Sequence, residues 1–156
     1  EACAEQRGMD RGTARTGGSG MITAVDTSVL LAIDLGEPEA EAWVESLANA
    51  REQGGLVICD VVVAEFFAVV QQRSAFDATL DDLGIRPVPT TLEAACAAGT
   101  AFRKYRDSGG PREHLIPDFL IAVHALTDCD ALAAADRGYL RRYFRGLHVL
   151  GPAWKG

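Results

Sequence analysis

Short apolar runs alternate with longer amphipathic segments along the chain from Met21 onward. The apolar runs are typical of buried strands, and five of them are MITAVD, LVIC, IRPVP, ALAAAD and LHVL. The segments between them have helical character: SVLLAID, EPEAEAWVESLANARE, DVVVAEFFAVVQQRS, FDATLDDLG, TTLEAACAAGTAFRKYRDSGG, PDFLIAVHALTD and the short RGYLRRYF. Buried strands that alternate with helices predict an α/β fold, a three-layer α/β/α domain with a central parallel sheet.

Residue types at the ends of these segments agree with the assignment. Asp60 is a plausible N-cap for the helix that follows LVIC, and threonines open the long helix TTLEAAC. Gly109 lies just past the end of that long helix, and Pro117 opens the next one.

Residues 1–20 differ in composition from the rest of the chain. They contain five glycines and no valine, isoleucine, leucine or aromatic residue. This composition is typical of a flexible tail or linker. We therefore expect the folded domain to span residues 21–156 and to begin at Met21.

Overall composition narrows the functional class. Hydrophobic residues make up 48% of the 156 residues, which is typical of a globular domain, and the net charge of −7 argues against a module that coats nucleic acid non-specifically. No apolar segment reaches the roughly 18 residues of a membrane span. Cys59, Cys96 and Cys129 lie in apolar surroundings. We interpret them as buried thiols in a reducing compartment and expect a cytoplasmic protein.

Four acidic residues fall where the predicted fold would bring them to one edge of the sheet. Asp26 and Asp136 end the strands MITAVD and ALAAAD, and open parallel sheets bind ligands beyond the carboxyl ends of their strands. Asp118 lies in the first turn of a helix that begins at the same edge. Glu65 lies in the apolar context VVVAEFFAVV, where an unpaired charge would cost several kcal/mol.

Each of these acids also has a purely structural explanation. Asp26 could cap the next helix, Asp118 could complement a helix dipole, and Asp136 could be a turn residue. Glu65 could pair with an arginine. Four carboxylates at one edge, however, repel each other unless a cation neutralises them. All-oxygen ligands favour Mg²⁺ or Mn²⁺ over Zn²⁺, and sites of this kind catalyse phosphoryl transfer.

Basic residues near the same edge could contact a nucleic-acid backbone. The segment RGYLRRYF supplies Arg137, Arg141 and Arg142 among aromatic residues. The basic segment FRKYR is better explained as ordinary cations near a helix C-terminus. A bound metal ion would reconcile a nucleic-acid substrate with the negative net charge, because the ion inverts the local field.

Four segments in this order resemble a PIN domain, and more closely a VapC-type toxin of a bacterial toxin–antitoxin pair: VDTSVLLAI, VVVAEFFAVV, IPDFLIAVHAL and AADRGYLRRYF. The resemblance extends from Met21 to about Leu150. It implies an endoribonuclease that depends on Mg²⁺ or Mn²⁺ and cleaves particular RNAs. It also implies a homodimer that is inhibited by an antitoxin of the VapB type. The acidic quartet of the family would correspond to Asp26, Glu65, Asp118 and Asp136.

The resemblance is incomplete at one hydroxyl position. The family often has Ser or Thr two residues before the fourth acid, where this chain has Ala134. Thr27 and Ser28 follow the first acid directly and are candidate supporting hydroxyls. We expect Ser28 to help hold Asp26 or a water at the metal site.

Other α/β families fit the sequence less well. The segment DTSVL lacks the adjacent acidic pair of a receiver domain, the second aspartate of a haloacid-dehalogenase phosphatase and the glycine-rich turn of a Rossmann nucleotide binder. One alternative of a different class remains, a PIN-like module that has no catalytic activity and acts only through protein contacts. The presence of all four carboxylates favours the enzyme.

Overall fold

Apolar segments form the strands, and together they make one parallel sheet. The computed structural model describes residues 20–135 and 138–153. Within this part of the chain the sheet has five strands in the order β3-β2-β1-β4-β5, and all four pairings are parallel. The strands are β1 (Met21–Val25), β2 (Gly54–Cys59), β3 (Ile85–Val88), β4 (Ala131–Ala133) and β5 (Val149–Leu150).

Helices connect the strands and cover both faces of the sheet. Helix α2 packs on β1 and β2, whereas α6 packs on β1 and β4 and is itself covered by α5. This is the predicted three-layer α/β/α fold. None of the helices in the described ranges is long and apolar enough to cross a membrane. The helices are α1 (Thr27–Asp34), α2 (Ala40–Gln53), α3 (Asp60–Val70), α4 (Arg73–Leu83), α5 (Leu92–Asp107), α6 (Ile116–Asp128) and α7 (Tyr139–Tyr143).

Fully buried side chains stand directly beside three of the predicted site residues. Val25, Phe66 and Phe119 are each at most 1% exposed, and burial of one such side chain contributes roughly 1.5–3 kcal/mol. They are the chain neighbours of Asp26, of Glu65 and of Asp118. Core packing therefore fixes the backbone from which each of these acidic side chains extends.

The first strand lies at the point where strand order reverses. β1 pairs with β2 on one side and with β4 on the other, with Val25 opposite Ala133. The pairing continues one step further, because the backbone N–H of Asp26 donates to the carbonyl of Ala133 at 2.9 Å. Asp26 and the segment after β4 therefore lie side by side at the carboxyl edge, where open parallel sheets bind ligands. Residues 1–19, most of the predicted tail, lie outside the described residues.

Asp60 does not cap α3, contrary to the sequence prediction. Cys59 occupies the N-cap position without a side-chain hydrogen bond, and Asp60 is the first residue of the helix. The Asp60 carboxylate instead accepts hydrogen bonds from the backbone N–H and the hydroxyl of Thr90. It thereby ties the start of α3 to the loop after β3.

Helix α3 also ends earlier than the predicted helical segment DVVVAEFFAVVQQRS. That segment continues to residue 74, but the helix ends at Val70 and Gln71 adopts the left-handed conformation with φ of 56°. Helix α4 then starts at Arg73, before the predicted start at Phe76. The ring of Phe76 packs 5.7 Å from that of Phe66. This tertiary contact requires a change of direction between the two helices, which the apolar pattern does not reveal.

The cysteines differ in burial, although the sequence predicts that all three are buried. Cys59 is buried, Cys129 is half-buried and Cys96 is exposed, and all three are free thiols. Helix α5 buries Ala94 and Ala98. Residues two positions apart on a helix face different directions, so Cys96 points away from the core.

Candidate active site

Asp26 connects the end of β1 to the start of α1. Its backbone is extended, with φ of −78° and ψ of 154°, and it occupies the N-cap position of the helix. Its Oδ2 accepts hydrogen bonds from the backbone N–H of Ser28, at 3.2 Å, and from the Ser28 hydroxyl. Asp26 thus has the capping role that the structural explanation gave it. Its side chain also lines the cavity described below.

The Ser28 hydroxyl links the ends of two neighbouring strands. Its Oγ donates to Asp26 Oδ2 and accepts from the backbone N–H of Ala135 at 3.3 Å. Ala135 follows β4 and directly precedes Asp136. Asp136 and Arg137 themselves lie outside the described residues.

Asp118 reaches the same edge from the first turn of α6. Its Oδ2 accepts a hydrogen bond from the backbone N–H of Leu115 at 2.7 Å. Pro117 is tolerated here because the first helical N–H groups have no intrahelical partner. A carboxylate in this turn also complements the helix dipole.

Asp26 and Asp118 line one cavity of about 160 Å³. No lysine or arginine among the described residues lines it. The rest of its wall is partly aromatic and largely apolar and consists of His114, Ile121, Leu132, Ala134, Ala135, Tyr139 and Leu140. Two carboxylates from separate elements thus share a small cavity that no described lysine or arginine lines.

The electrostatics of this cavity fit a divalent cation. Burial raises the pKa of Asp26, the hydrogen bonds from Ser28 oppose the rise, and the negative charge of Asp118 adds to it. A cation between the carboxylates would remove this repulsion, and oxygen ligands suit a hard ion. Within the described ranges, no three acidic, histidine or cysteine side chains are close enough together to hold a metal. Asp26 and Asp118 would therefore supply two of the ligands.

Glu65 lies beside this pair but does not line the cavity. It extends from α3 and accepts a hydrogen bond from the hydroxyl of Thr27. Thr27 is the first residue of α1 and is 9% exposed, so the contact is largely shielded from solvent. The structure therefore connects Glu65 to Asp26 through the residue that follows Asp26.

Two aromatic residues of the cavity were not among the predicted site residues. The imidazole of His114 stacks on the ring of Tyr139, with centroids 3.5 Å apart and planes inclined by 11°. The Tyr139 hydroxyl is buried and has no hydrogen-bond partner in the described part of the chain. Burial, and next the charge of Asp118, raise the pKa of Tyr139. Its hydroxyl is therefore a proton-bearing donor at neutral pH.

The PIN domain family matches residues 23–145 of the chain. This chain belongs to the PIN domain family. The match includes Asp26, Glu65 and Asp118 as well as the cavity. A separate comparison with curated protein sequences gives no match.

Solved structures with the fold of this PIN domain come from several bacterial proteins. VapBC2 from Rickettsia felis, bound to a promoter DNA fragment, matches with a TM-score of 0.65 and 17% identity over 85% of this chain and 99% of that chain. VapC20 from Mycobacterium tuberculosis, a toxin that cleaves the sarcin–ricin loop, has a TM-score of 0.58 and 16% identity over 81% and 98%. FitAcB from Neisseria gonorrhoeae has a TM-score of 0.57 and 19% identity over 82% and 96%. At these identities the similarity establishes the shared fold.

The predicted basic residues of the PIN domain differ in position. Arg141 and Arg142 lie on α7 and are exposed, whereas Arg137 lies outside the described residues. Arg142 lines a cavity that adjoins the cavity of Asp26 and Asp118. The sequence analysis did not identify His114 and Tyr139 as site residues. The available signal was their closeness in sequence to two predicted acids, since His114 is four residues before Asp118 and Tyr139 is three residues after Asp136.

Proposed function

We propose that this PIN domain is an endoribonuclease that depends on Mg²⁺ or Mn²⁺ and acts as the toxin of a toxin–antitoxin pair. The observation that carries the proposal is the shared cavity of Asp26 and Asp118 at the carboxyl edge of the sheet. Two carboxylates in one small cavity need a counterion. PIN domains generally depend on divalent metal ions, which agrees with this requirement.

The metal ligands in this proposal are Asp26, Asp118 and Asp136, with Glu65 as a fourth ligand or as the residue that orients the attacking water. When bound, the ion lowers the pKa of a water and neutralises the charge that develops on the scissile phosphate. Water adds to the phosphorus and loses a proton to the solvent. The bond to the leaving ribose oxygen breaks, and that oxygen takes up a proton.

The hydroxyl groups around the acids keep the carboxylates in place. Ser28 holds Oδ2 of Asp26 and is itself held by the backbone of Ala135, so the Asp26 carboxylate has one orientation. The Thr27 hydroxyl donates to the Glu65 carboxylate and so helps to orient it. Such contacts act on activity through the ligands they orient. Thr27 and Ser28 are therefore positioning residues in this proposal.

We further propose that the protein acts in the cytoplasm, forms a homodimer and is inhibited by an antitoxin of the VapB type. These partners follow from the resemblance to VapC-type toxins. Exposed apolar side chains on α3 support protein contacts, because Phe67 is 37% and Val69 51% exposed.

The same exposed residues support the alternative, a PIN-like module that acts only through protein contacts. An RNase assay separates the two proposals. Purified protein is incubated with total RNA in Mg²⁺, in Mn²⁺ and in EDTA, with a variant carrying both Asp26→Asn and Asp118→Asn purified in parallel to reveal contaminating nucleases. Cleavage that requires metal and is lost in the double variant supports the ribonuclease. Absence of cleavage with either ion supports the binding module.

A further inference from the structure

The loop between α5 and α6 is held in one conformation by several contacts. Gly109 has a positive φ of 77°. A Cβ on Gly110 would lie 2.5 Å from the ring of Tyr105, so only glycine fits there. The Tyr105 hydroxyl donates to the carbonyl of Pro111, and the Arg106 guanidinium donates to that of Gly110 at 3.1 Å. The loop is therefore a preformed wall.

This wall borders a second cavity of about 550 Å³. Small-molecule sites in proteins commonly have volumes of about 300–1,000 Å³. The other side of the cavity comes from α7 and the residue before it. His114 and Tyr139 line both this cavity and the cavity of Asp26 and Asp118, so the two adjoin across the stacked ring pair.

The chemistry of the second cavity differs from that of the first. No acidic side chain of the described residues lines it, and Arg142 is its basic residue. The Arg142 guanidinium lies 5.5 Å from the ring centroid of Tyr143. Aromatic rings combined with arginine are the usual means by which proteins hold unpaired nucleotides, since bases stack on rings and phosphates contact guanidinium groups.

We propose that this second cavity is a nucleotide subsite, which binds an unpaired nucleotide of single-stranded RNA next to the scissile phosphate. The base stacks on the aromatic wall of His114, Tyr139 and Tyr143, and Arg142 contacts the adjoining phosphate. A paired base is already stacked inside its duplex and cannot enter. The proposal rests on the ribonuclease function above and adds to it a base-binding subsite beside the cavity of Asp26 and Asp118.

Binding is measured by fluorescence anisotropy in Mg²⁺ in the Asp26→Asn background, where cleavage should be slower by about 100-fold or more. The probes are a labelled single-stranded RNA hexamer and the same sequence in a duplex. Arg142→Ala should weaken hexamer binding about ten-fold. The matched control is Arg86→Ala, which removes an exposed arginine from β3 at the far edge of the sheet and should change the affinity less than two-fold. The duplex should bind at least about ten-fold more weakly than the hexamer.

Two variants of His114 separate stacking of an RNA base on the ring from other roles of this side chain. His114→Ala should weaken hexamer binding about five- to ten-fold, whereas His114→Phe keeps a flat ring and should retain binding within about two-fold. Should His114→Ala fail to fold, Arg142→Ala and His114→Phe still decide, because Arg142 is exposed and phenylalanine preserves the packing on Tyr139.

Cleavage by otherwise wild-type protein distinguishes failure of the subsite from failure of the proposed function. Arg142→Ala should raise KM for single-stranded RNA about ten-fold and leave kcat within about three-fold. If the wild type cleaves RNA with metal but Arg142→Ala and His114→Ala leave both KM and hexamer affinity unchanged, the subsite is refuted and the ribonuclease stands. Equal affinity for hexamer and duplex also refutes the subsite. If the wild type neither cleaves nor binds RNA, both proposals fall.

Discussion

The two ends of α6 carry two clusters of ionisable side chains that behave differently. At the start of the helix, Asp118 shares a cavity with Asp26. At its end, His124 lies between Asp128 and Cys129, with Nδ1 3.4 Å from Asp128 Oδ2 and Nε2 3.8 Å from Cys129 Sγ. By residue type the second cluster is the more suggestive, because cysteine, histidine and aspartate together form the active site of many nucleophilic enzymes.

Burial explains why the second cluster is not an active site. The His124 side chain is 2% exposed. Burial lowers the pKa of His124 and raises the pKa of Cys129 to about 12. At neutral pH neither the reactive thiolate nor the imidazolium is formed. The carboxylates at the other end line a cavity of about 160 Å³. Access and the need for a counterion, more than residue type, distinguish a site from a buried polar cluster.

The largest predicted effect contrasts the two aspartates of α6. Asp118→Asn should reduce RNA cleavage about 100-fold or more, because under the proposed function it removes a charge that would hold the metal. Asp128→Asn should leave cleavage within about two-fold and lower the free energy of unfolding by about 1 kcal/mol, since it weakens the contact to His124. Initial cleavage rates and urea unfolding measure the two effects. A folded Asp128→Asn that has lost cleavage would contradict the comparison.

A variant of Ser28 tests whether the orientation of the Asp26 carboxylate matters for cleavage. Ser28→Ala removes the hydroxyl that connects Asp26 to Ala135 and should lower cleavage about ten-fold. Ser46→Ala is the control, because Ser46 donates only to the carbonyl of Gly151 on the surface. Its cleavage rate should equal that of the wild type. Equal rates for both variants would remove Ser28 from the site.

Metal binding should stabilise only proteins that retain both Asp26 and Asp118. An ion present at about 100 times its Kd adds about 2.7 kcal/mol to the free energy of unfolding, which is roughly 5–10 °C for a domain of this size. Thermal unfolding with and without Mg²⁺ should show this shift for the wild type and for Asp128→Asn. Asp118→Asn should show a much smaller shift, and an equal shift in all three proteins would mean that Mg²⁺ binds elsewhere.

The buried cluster of His124, Asp128 and Cys129 should affect how the free energy of unfolding depends on pH. The folded state lowers the pKa of His124 below its ordinary 6.5, so below that pH the unfolded chain takes up a proton that the folded chain does not. The charge of Asp128 opposes this effect only in part. The free energy of unfolding should therefore fall by about 1 kcal/mol between pH 7.5 and pH 5.5.

Two variants assign that pH dependence to His124. His124→Asn removes the titrating group and should flatten the curve by most of this amount, whereas His148→Asn replaces an exposed histidine and should not. Urea unfolding at each pH provides the measurement. Parallel curves for the wild type and His124→Asn would show that His124 does not set the dependence.

The fold was predictable because its signals are local. Short apolar runs, Thr91 as the N-cap of α5 and Gly109 with positive φ after that helix all match the structure. The failures involve contacts between distant residues. Thr90 engages Asp60 from across a 30-residue separation, and the packing of Phe76 on Phe66 accompanies the break after α3.

The candidate site was only partly predictable for the same reason. Asp26 and Asp118 could be placed at one edge because strand ends and helix starts share that edge in a parallel sheet. The stacking of His114 on Tyr139 joins a loop to α7, and no residue pattern in the sequence indicates it. The loop around Gly110 likewise depends on the position of the Tyr105 ring.

The most direct test of the account is the cleavage rate of Asp26→Asn under conditions in which the wild type cuts RNA with Mg²⁺. Asparagine is as good an N-cap as aspartate, so the variant should fold while it loses about 100-fold or more in rate. Asp34→Asn, which removes an exposed acid from the last position of α1, should cleave within about two-fold of the wild type. Wild-type cleavage by a folded Asp26→Asn would contradict the assignment of this cavity as the catalytic centre.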